Sequence, residues 1–355
     1  MTNFMKGNYA LVEGAIAAGI DAYFGYPITP QNEITEYMSI RMREENRVFL
    51  QTESELASIN MVFGAALAGK LSLTSSSSPG MSLMQEGISY LVGCELPCVL
   101  VNVQRGGPGL GNISGAQGDY FQSVKGGGHG DYKMIVLTPS TVQEMYEMPF
   151  KAFYLAFKYK NPVMILADGI VGQMMEKVDI QKKDYFADIA GFDKKVFDTS
   201  SWALTGCENR ESRFIRSLLM EDGALTKHNY KLFEKFKNME AEVDWQEEYT
   251  EDAELILIGY GISARVINDV CISERKKGRK VGYLRPKTVY PFPSKRISEL
   301  AEKAKILVVE MSMGQMLEDV KLAVNGKTEV DFYGVPGGDT LDTDVILEKI
   351  KRILK

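Results

Sequence analysis

Along the first 170 residues the apolar positions alternate between helical spacing and short unbroken runs. NYALVEGAIAAG (8–19) carries apolar side chains at helical spacing and stops at Gly19, and DAYFGYP (21–27) then reads as a short buried strand. The rhythm continues with helix 33–45, strand 47–52, helix 54–69, strand 70–78, helix 79–95 and strand 96–104. The last of these, LPCVLVNVQ, is almost uniformly apolar, which suits a sheet centre covered on both faces. After a glycine-rich segment come strand 134–139, helix 141–159 and strand 161–169. Strands that alternate with helices predict a parallel α/β domain.

The pattern changes between Val178 and Asp252, where charges are dense and mixed, as in a linker with one or two surface helices. From Glu254 the α/β rhythm resumes: LILIGYG, VGYLRP, ILVVEMS and VDFYGVP read as strands separated by amphipathic helices. The expected organisation is a first domain over 1–180, a linker with surface helices over 181–252 and a smaller α/β domain over 253–355.

Composition narrows the function. The chain has 355 residues, 45% hydrophobic and 25% charged, with a net charge of −6. That balance argues against nucleic acid or an anionic membrane as the main partner. No basic-then-apolar leader opens the sequence and no apolar stretch is long enough to span a bilayer, so a cytoplasmic protein is expected. Of the four cysteines only Cys94 and Cys98 are close, at a spacing that matches no metal or redox pattern. They read as small buried hydrophobes, and the chain lacks the cysteines of an iron–sulfur cluster. With two histidines, a histidine-rich metal site is excluded.

Four stretches could carry chemistry, each at the carboxyl end of an expected strand, where open α/β sheets bind ligands. In GYPITP, Pro27 and Pro30 fix two φ angles and hold Tyr26 and Thr29 extended, so Thr29 is pre-aimed; a rigid connecting loop is the alternative. In ESELAS, Glu53 and Glu55 either favour a helix N-terminus through its dipole, or Glu55 points into a crevice. The serine run ending at Ser78 suits polar-atom binding or N-capping. Arg105 leaves the central strand into a glycine-dense loop that fits neither a phosphate P-loop nor a dinucleotide fingerprint, and an arginine there is a natural clamp for carboxylate or phosphate. In the second domain, GYGISA reads equally as a weak anion site or as glycine for close packing.

Taken in order, GYPITP, ESE before an Ala/Gly-rich helix, SSSSPGMSLMQEGISY and QRGGPGLGN resemble the α subunit of 2-oxoacid:ferredoxin oxidoreductases. The resemblance runs over nearly the whole chain and is nearest to the branched-chain, 2-oxoisovalerate branch. It implies a pyrimidine-type thiamine diphosphate-binding α/β domain followed by a transketolase-C-terminal-like domain. The diphosphate half of such sites carries Gly-Asp-Gly, which this chain lacks. The resemblance therefore implies that Mg²⁺ and the diphosphate lie on a β subunit, and that iron–sulfur clusters lie on partners such as ferredoxin-like γ and δ subunits. Ferredoxin, coenzyme A and a 2-oxo acid are the further expected partners.

Carried over residue by residue, Glu55 matches the glutamate that contacts N1′ of the aminopyrimidine, as the catalytic residue. Tyr26, Pro27 and Ser78 match cofactor-binding positions. Thr29 and Ile28 belong to the motif that approaches substrate. Arg105 matches an arginine that pairs with the substrate carboxylate, although its charge equally suits a coenzyme A phosphate. Ser114 falls where relatives carry a hydroxyl near that carboxylate. Gly109 and Leu110 stand where relatives acting on 2-oxoglutarate tend to have Ser-Thr, which favours an apolar branched substrate over a second carboxylate. Three alternatives remain: the same reaction on pyruvate, an aryl pyruvate or 2-oxoglutarate; a non-catalytic scaffold or regulatory subunit; and a free-standing α/β nucleotide-binding protein.

Overall fold

The computed structural model describes residues 2–180 and 185–355, so the expected boundary between 180 and 181 abuts residues that lie outside the description. The strands are β1 (Thr2–Lys6), β2 (Ala22–Gly25), β3 (Val48–Gln51), β4 (Ser72–Ser76), β5 (Cys98–Gln104), β6 (Ile135–Leu137) and β7 (Pro162–Asp168). They continue with β8 (Met175–Asp179), β9 (Trp245–Glu248), β10 (Leu255–Ile258), β11 (Val281–Pro286), β12 (Thr288–Tyr290), β13 (Lys305–Glu310) and β14 (Val330–Gly334). One sheet has seven strands in the order β12-β6-β7-β5-β4-β2-β3, and a second has five in the order β14-β13-β10-β11-β9. Both are parallel apart from one antiparallel edge strand each, β12 and β9. The fold is thus α/β, as expected.

Every residue of β4, β5 and β7 is buried, because helices cover both faces of the large sheet. Helices Gly7–Ala17, Asn32–Glu44 and Val142–Tyr159 pack on one face, and Glu55–Leu67 and Ser78–Gly93 on the other. The loop after β2 leads to the first face and the loop after β4 to the second. The sheet therefore reverses its winding between β2 and β4, and a crevice opens at their carboxyl ends. GYPITP leaves β2 there and the serine run leaves β4, so the topology brings two of the four stretches to one place.

Four strands and one helix escape the hydrophobic pattern. β1 pairs antiparallel with β8, and both lie on the surface, with polar and apolar residues mixed. β9 alternates weakly, and β12 is three residues long yet crosses over to join β6 of the large sheet. Helix Thr343–Ile353 has a narrow apolar stripe, with Ile346 and Ile350 buried against the smaller sheet. Such elements are defined by tertiary pairing more than by their own periodicity.

Two buried polar clamps join the sheets. Gln117, in the glycine-rich segment, accepts at Oε1 from Ser263 Oγ (2.8 Å) and from the Met311 amide (2.9 Å), and donates from Nε2 to the Tyr260 carbonyl (2.8 Å). Arg285 of β11 donates to Glu144 at 2.6 Å and also to Ser140, on and beside helix Val142–Tyr159. Burial pulls the Glu144 carboxyl upward most strongly, but the charge and hydrogen bond of Arg285, the Ser140 amide and the Lys287 charge together hold the group below its ordinary value.

Candidate functional site

The GYPITP loop is held from below by a buried hydrogen-bond chain. Tyr23 of β2 bonds Ser75 (2.7 Å) and Thr35 (2.8 Å), and burial pushes its phenol up to about 12. Ser75 donates to Gln31 Oε1 (2.7 Å), and Gln31 donates from Nε2 to the Tyr26 carbonyl (3.0 Å). Asn8 and Gln173 both donate to the Pro30 carbonyl at 2.8 Å. The loop backbone is fixed while Tyr26 and Pro27 remain exposed and Ile28 and Thr29 half-buried. Asn32 Nδ2 donates to the Thr29 hydroxyl at 3.1 Å.

The two acids of ESELAS part company. Ser54 caps the helix by accepting from the Ala57 amide (3.2 Å) and donates to Glu53, which stays on the surface. Glu55 is only 4% exposed. Among the described residues its one side-chain hydrogen bond is a long one, from Ser76 Oγ at 3.4 Å. A Cβ on Gly80 would lie 2.4 Å from Glu55 Oε1 and 2.0 Å from Ser76 Oγ, so the carboxyl rests on bare backbone. This packing leaves the carboxyl without a strong partner among the described residues.

Arg105 is held at three points. Its guanidinium donates to the carbonyls of Thr29 (2.9 Å) and Leu110 (3.1 Å), and its amide donates to Ser78 Oγ at 3.0 Å. It is 6% exposed, and among the described residues its buried Nε has no hydrogen-bond partner. Arg105, Thr29 and Ser78 are therefore in direct contact. Ser76 and Gly80, two residues to either side of Ser78, bring Glu55 to the same cluster.

Ser114 stands apart. Its carbonyl accepts from the Gly106 amide (2.9 Å), but its side chain is exposed and packs toward Gly338 of the second sheet's loops. Leu110 is 81% exposed, so the apolar side chain lies outside the cluster that its carbonyl helps to hold.

Sequence reasoning missed Gly80, Asn102 and Asp119. Ser78 opens its helix at φ +23°, a strained value for a residue with a side chain. Asn102 Oδ1 accepts from the Ser78 amide (3.1 Å), and Asp119 Oδ2 accepts from Ser78 Oγ (2.6 Å) and from Asn102 Nδ2 (2.9 Å). Burial raises the Asp119 carboxyl above its ordinary value, against these hydrogen bonds and the Arg105 charge. An asparagine inside an apolar strand is the sequence signal for this network, because a buried amide must find partners. Gly261 also finds its reason: it sits at φ +56°, and a Cβ there would meet Asp168 Oδ2 at 2.3 Å. The Ile262 amide donates to that carboxylate at 2.7 Å, so the anion at this helix start belongs to the chain itself.

The match to known proteins decides the family. Residues 13–247 match the model described as pyruvate flavodoxin/ferredoxin oxidoreductase, thiamine diphosphate-binding, and 253–346 match pyruvate:ferredoxin oxidoreductase core domain II. The chain belongs to the 2-oxoacid:ferredoxin oxidoreductase family. It is 47% identical to ketoisovalerate oxidoreductase subunit VorB of Methanothermobacter marburgensis, over 99% of this chain and 98% of that protein. It is 35% identical to the 2-oxoglutarate synthase subunit KorA of the same organism, over 98% of each. A solved 2-oxoglutarate:ferredoxin oxidoreductase from Magnetococcus marinus, with 2-oxoglutarate, coenzyme A and succinyl-CoA bound, superposes with TM-score 0.88 at 27% identity. That match covers 100% of this chain and 65% of the other. An inactive split-gene transketolase assembly shares the fold alone, at TM-score 0.58 and 11% identity. This oxidoreductase subunit is therefore an enzyme component with a thiamine-diphosphate-binding family domain. Among its described residues no helix is long and apolar enough to cross a membrane.

Proposed function

We propose that this subunit forms the pyrimidine-side wall of a thiamine diphosphate site in a ferredoxin-dependent oxidoreductase that converts 2-oxoisovalerate and similar branched-chain 2-oxo acids to acyl-CoA and CO₂. The observation that carries the reading is the Glu55 carboxyl, buried against the bare backbone of Gly80 beside the Arg105–Thr29–Ser78 cluster. When bound, the cofactor supplies a carbon nucleophile and an electron sink for decarboxylation. Glu55 holds a proton at N1′ of the aminopyrimidine ring and so selects its tautomer. Gly80 keeps the space in front of that carboxyl open, and Tyr26 and Pro27 offer an exposed edge against the ring.

Arg105 orients the substrate. Its low exposure supports pairing with a small carboxylate rather than a bulky coenzyme A phosphate. Thr29 and Ile28 border the same space, and Ser114 reaches it only if the loop shifts its hydroxyl inward. The diphosphate and Mg²⁺ belong to a β subunit, the iron–sulfur clusters to γ and δ partners, and ferredoxin is the final acceptor, in the cytoplasm. The branched-chain assignment rests on the greater identity to the ketoisovalerate subunit than to the 2-oxoglutarate subunit; the exposed Leu110 side chain adds no support to it. An apolar pocket separates neighbouring homologues by only about 1–3 kcal/mol per methylene, so other 2-oxo acids are expected to react more slowly.

The test is Glu55→Gln in the assembled complex, assayed by coenzyme A-dependent dye reduction with 2-oxoisovalerate. Turnover is expected to fall by ~10²–10⁴-fold while the subunits still co-purify. Near-normal turnover would remove Glu55 from the assigned role.

A further inference from the structure

Among the described residues, a run of exposed apolar side chains lies at the pole opposite the cleft. Residues 199–239 form a strap beneath the amino ends of the large sheet. The Leu204 amide donates to the Leu67 carbonyl (2.8 Å), at the end of the helix that begins with Glu55. Ser217 packs against Gly93, the last residue of helix Ser78–Gly93. The strap then enters helix Ala224–Met239, whose Lys235 donates to the Lys160 carbonyl just before β7. In a parallel sheet, helix ends and strand starts share one edge, and the ligand-binding loops occupy the other.

The strap packs inward through Leu232, Phe236 and Met239. Outward, Phe214, Leu218, Met220, Tyr230 and Phe233 are 86, 70, 82, 72 and 52% exposed. With Leu225, 50% exposed, six large apolar side chains between residues 214 and 233 face outward, a concentration of the kind that marks an interaction site. Beside Phe214 opens a groove of about 470 Å³ lined also by Lys160, Trp202, Arg216, His228 and Lys231. Glu95 is the one carboxylate in its lining, and Lys231 and Lys235 already share it. The Lys160 ammonium lies 5.4 Å from the Trp202 ring centroid. Among the described residues neither Lys160 nor Arg216 makes an ion pair, so the groove is short of anions.

We propose that this strap is the docking surface of a further protein subunit, one with an acidic rim around an apolar centre, bound at the pole away from the cofactor cleft. Its carboxylates answer Lys160 and Arg216, and its apolar centre covers Phe214, Met220 and Tyr230. The inference rests on the strap alone and stands apart from the role of Glu55. It requires two partner surfaces on this subunit, because a protein seated on the strap faces away from the crevice between β2 and β4.

Hydroxyl-radical footprinting with mass spectrometry tests it on the wild-type complex and on the full chain alone. Labelling of Phe214, Met220 and Tyr230 is expected to drop at least about fivefold in the complex, as for apolar side chains buried at an interface core. The Arg216→Glu chain is expected to lose that one subunit at lower salt than wild type and to keep the diphosphate-binding partner. Unchanged labelling in the complex would overturn the proposal. So would protection of the chain alone that grows with its concentration, which indicates a second copy. Protection that disappears when only the diphosphate-binding partner is removed would equally overturn it.

Discussion

At the scale of single residues, the site depends on what is missing as much as on what is present. Gly80 has no conformational need to be glycine; its value is the space it leaves beside the Glu55 carboxyl, where a Cβ would lie 2.4 Å away. Gly80→Ala is therefore expected to push Glu55 or Ser76 aside and weaken cofactor binding by about tenfold or more, with little change in melting temperature, since alanine suits a helix. Calorimetric titration of thiamine diphosphate into the assembled complex checks this. Glu55 and Arg105 stand out in the sequence as candidates because carboxylates and arginines at strand ends advertise chemistry. Gly80 could not, because its contact with Glu55 joins two helices and leaves no local trace. Asp119 lay among so many glycines that only the buried partners Ser78 and Asn102 reveal its part in fixing the Arg105 backbone.

At the scale of elements, most helices and buried strands were legible, because burial on both faces writes continuous apolar runs. GYPITP announced itself through its prolines. Its anchoring by Asn8, Gln31 and Gln173 was invisible, since those side chains come from three separate segments. The glycine-rich segment after Arg105 reads from sequence as a ligand loop. In the structure it has a second task, for Gln117 within it joins the two sheets. The helix start at Gly261, open in sequence to an anion-site reading, is satisfied by Asp168 of β7. Edge strands β9 and β12 stayed hidden because their pairing partners, not their own residues, define them.

At the scale of the whole molecule, the two sheets act as one body through buried polar contacts, and one of these titrates. Glu144 sits below its ordinary carboxyl value of 4.5: burial raises it, but the Arg285 charge and hydrogen bond, with the Ser140 amide and the Lys287 charge, together outweigh that burial. A group depressed in the folded state adds stability above its unfolded value and loses that contribution as the pH falls through its folded value. Glu144→Gln is thus expected to lower stability at neutral pH by about 3 kcal/mol, because it leaves the 3%-exposed Arg285 charge without its carboxylate. The deficit relative to wild type should shrink below pH 4.5, where wild-type Glu144 also takes up its proton. Urea unfolding of both proteins between pH 3 and 7 measures the difference.

The same scale holds the central claim, that one wall of a shared cofactor site stands on this subunit and the other on a partner. Its most direct measurement is calorimetric titration of thiamine diphosphate with Mg²⁺ into three samples: this chain, the Gly-Asp-Gly-bearing partner, and the two together. Saturable binding of one cofactor per pair in the mixture alone is the expected result. Tight binding by this chain alone, or by the partner with no gain on mixing, would contradict the shared site.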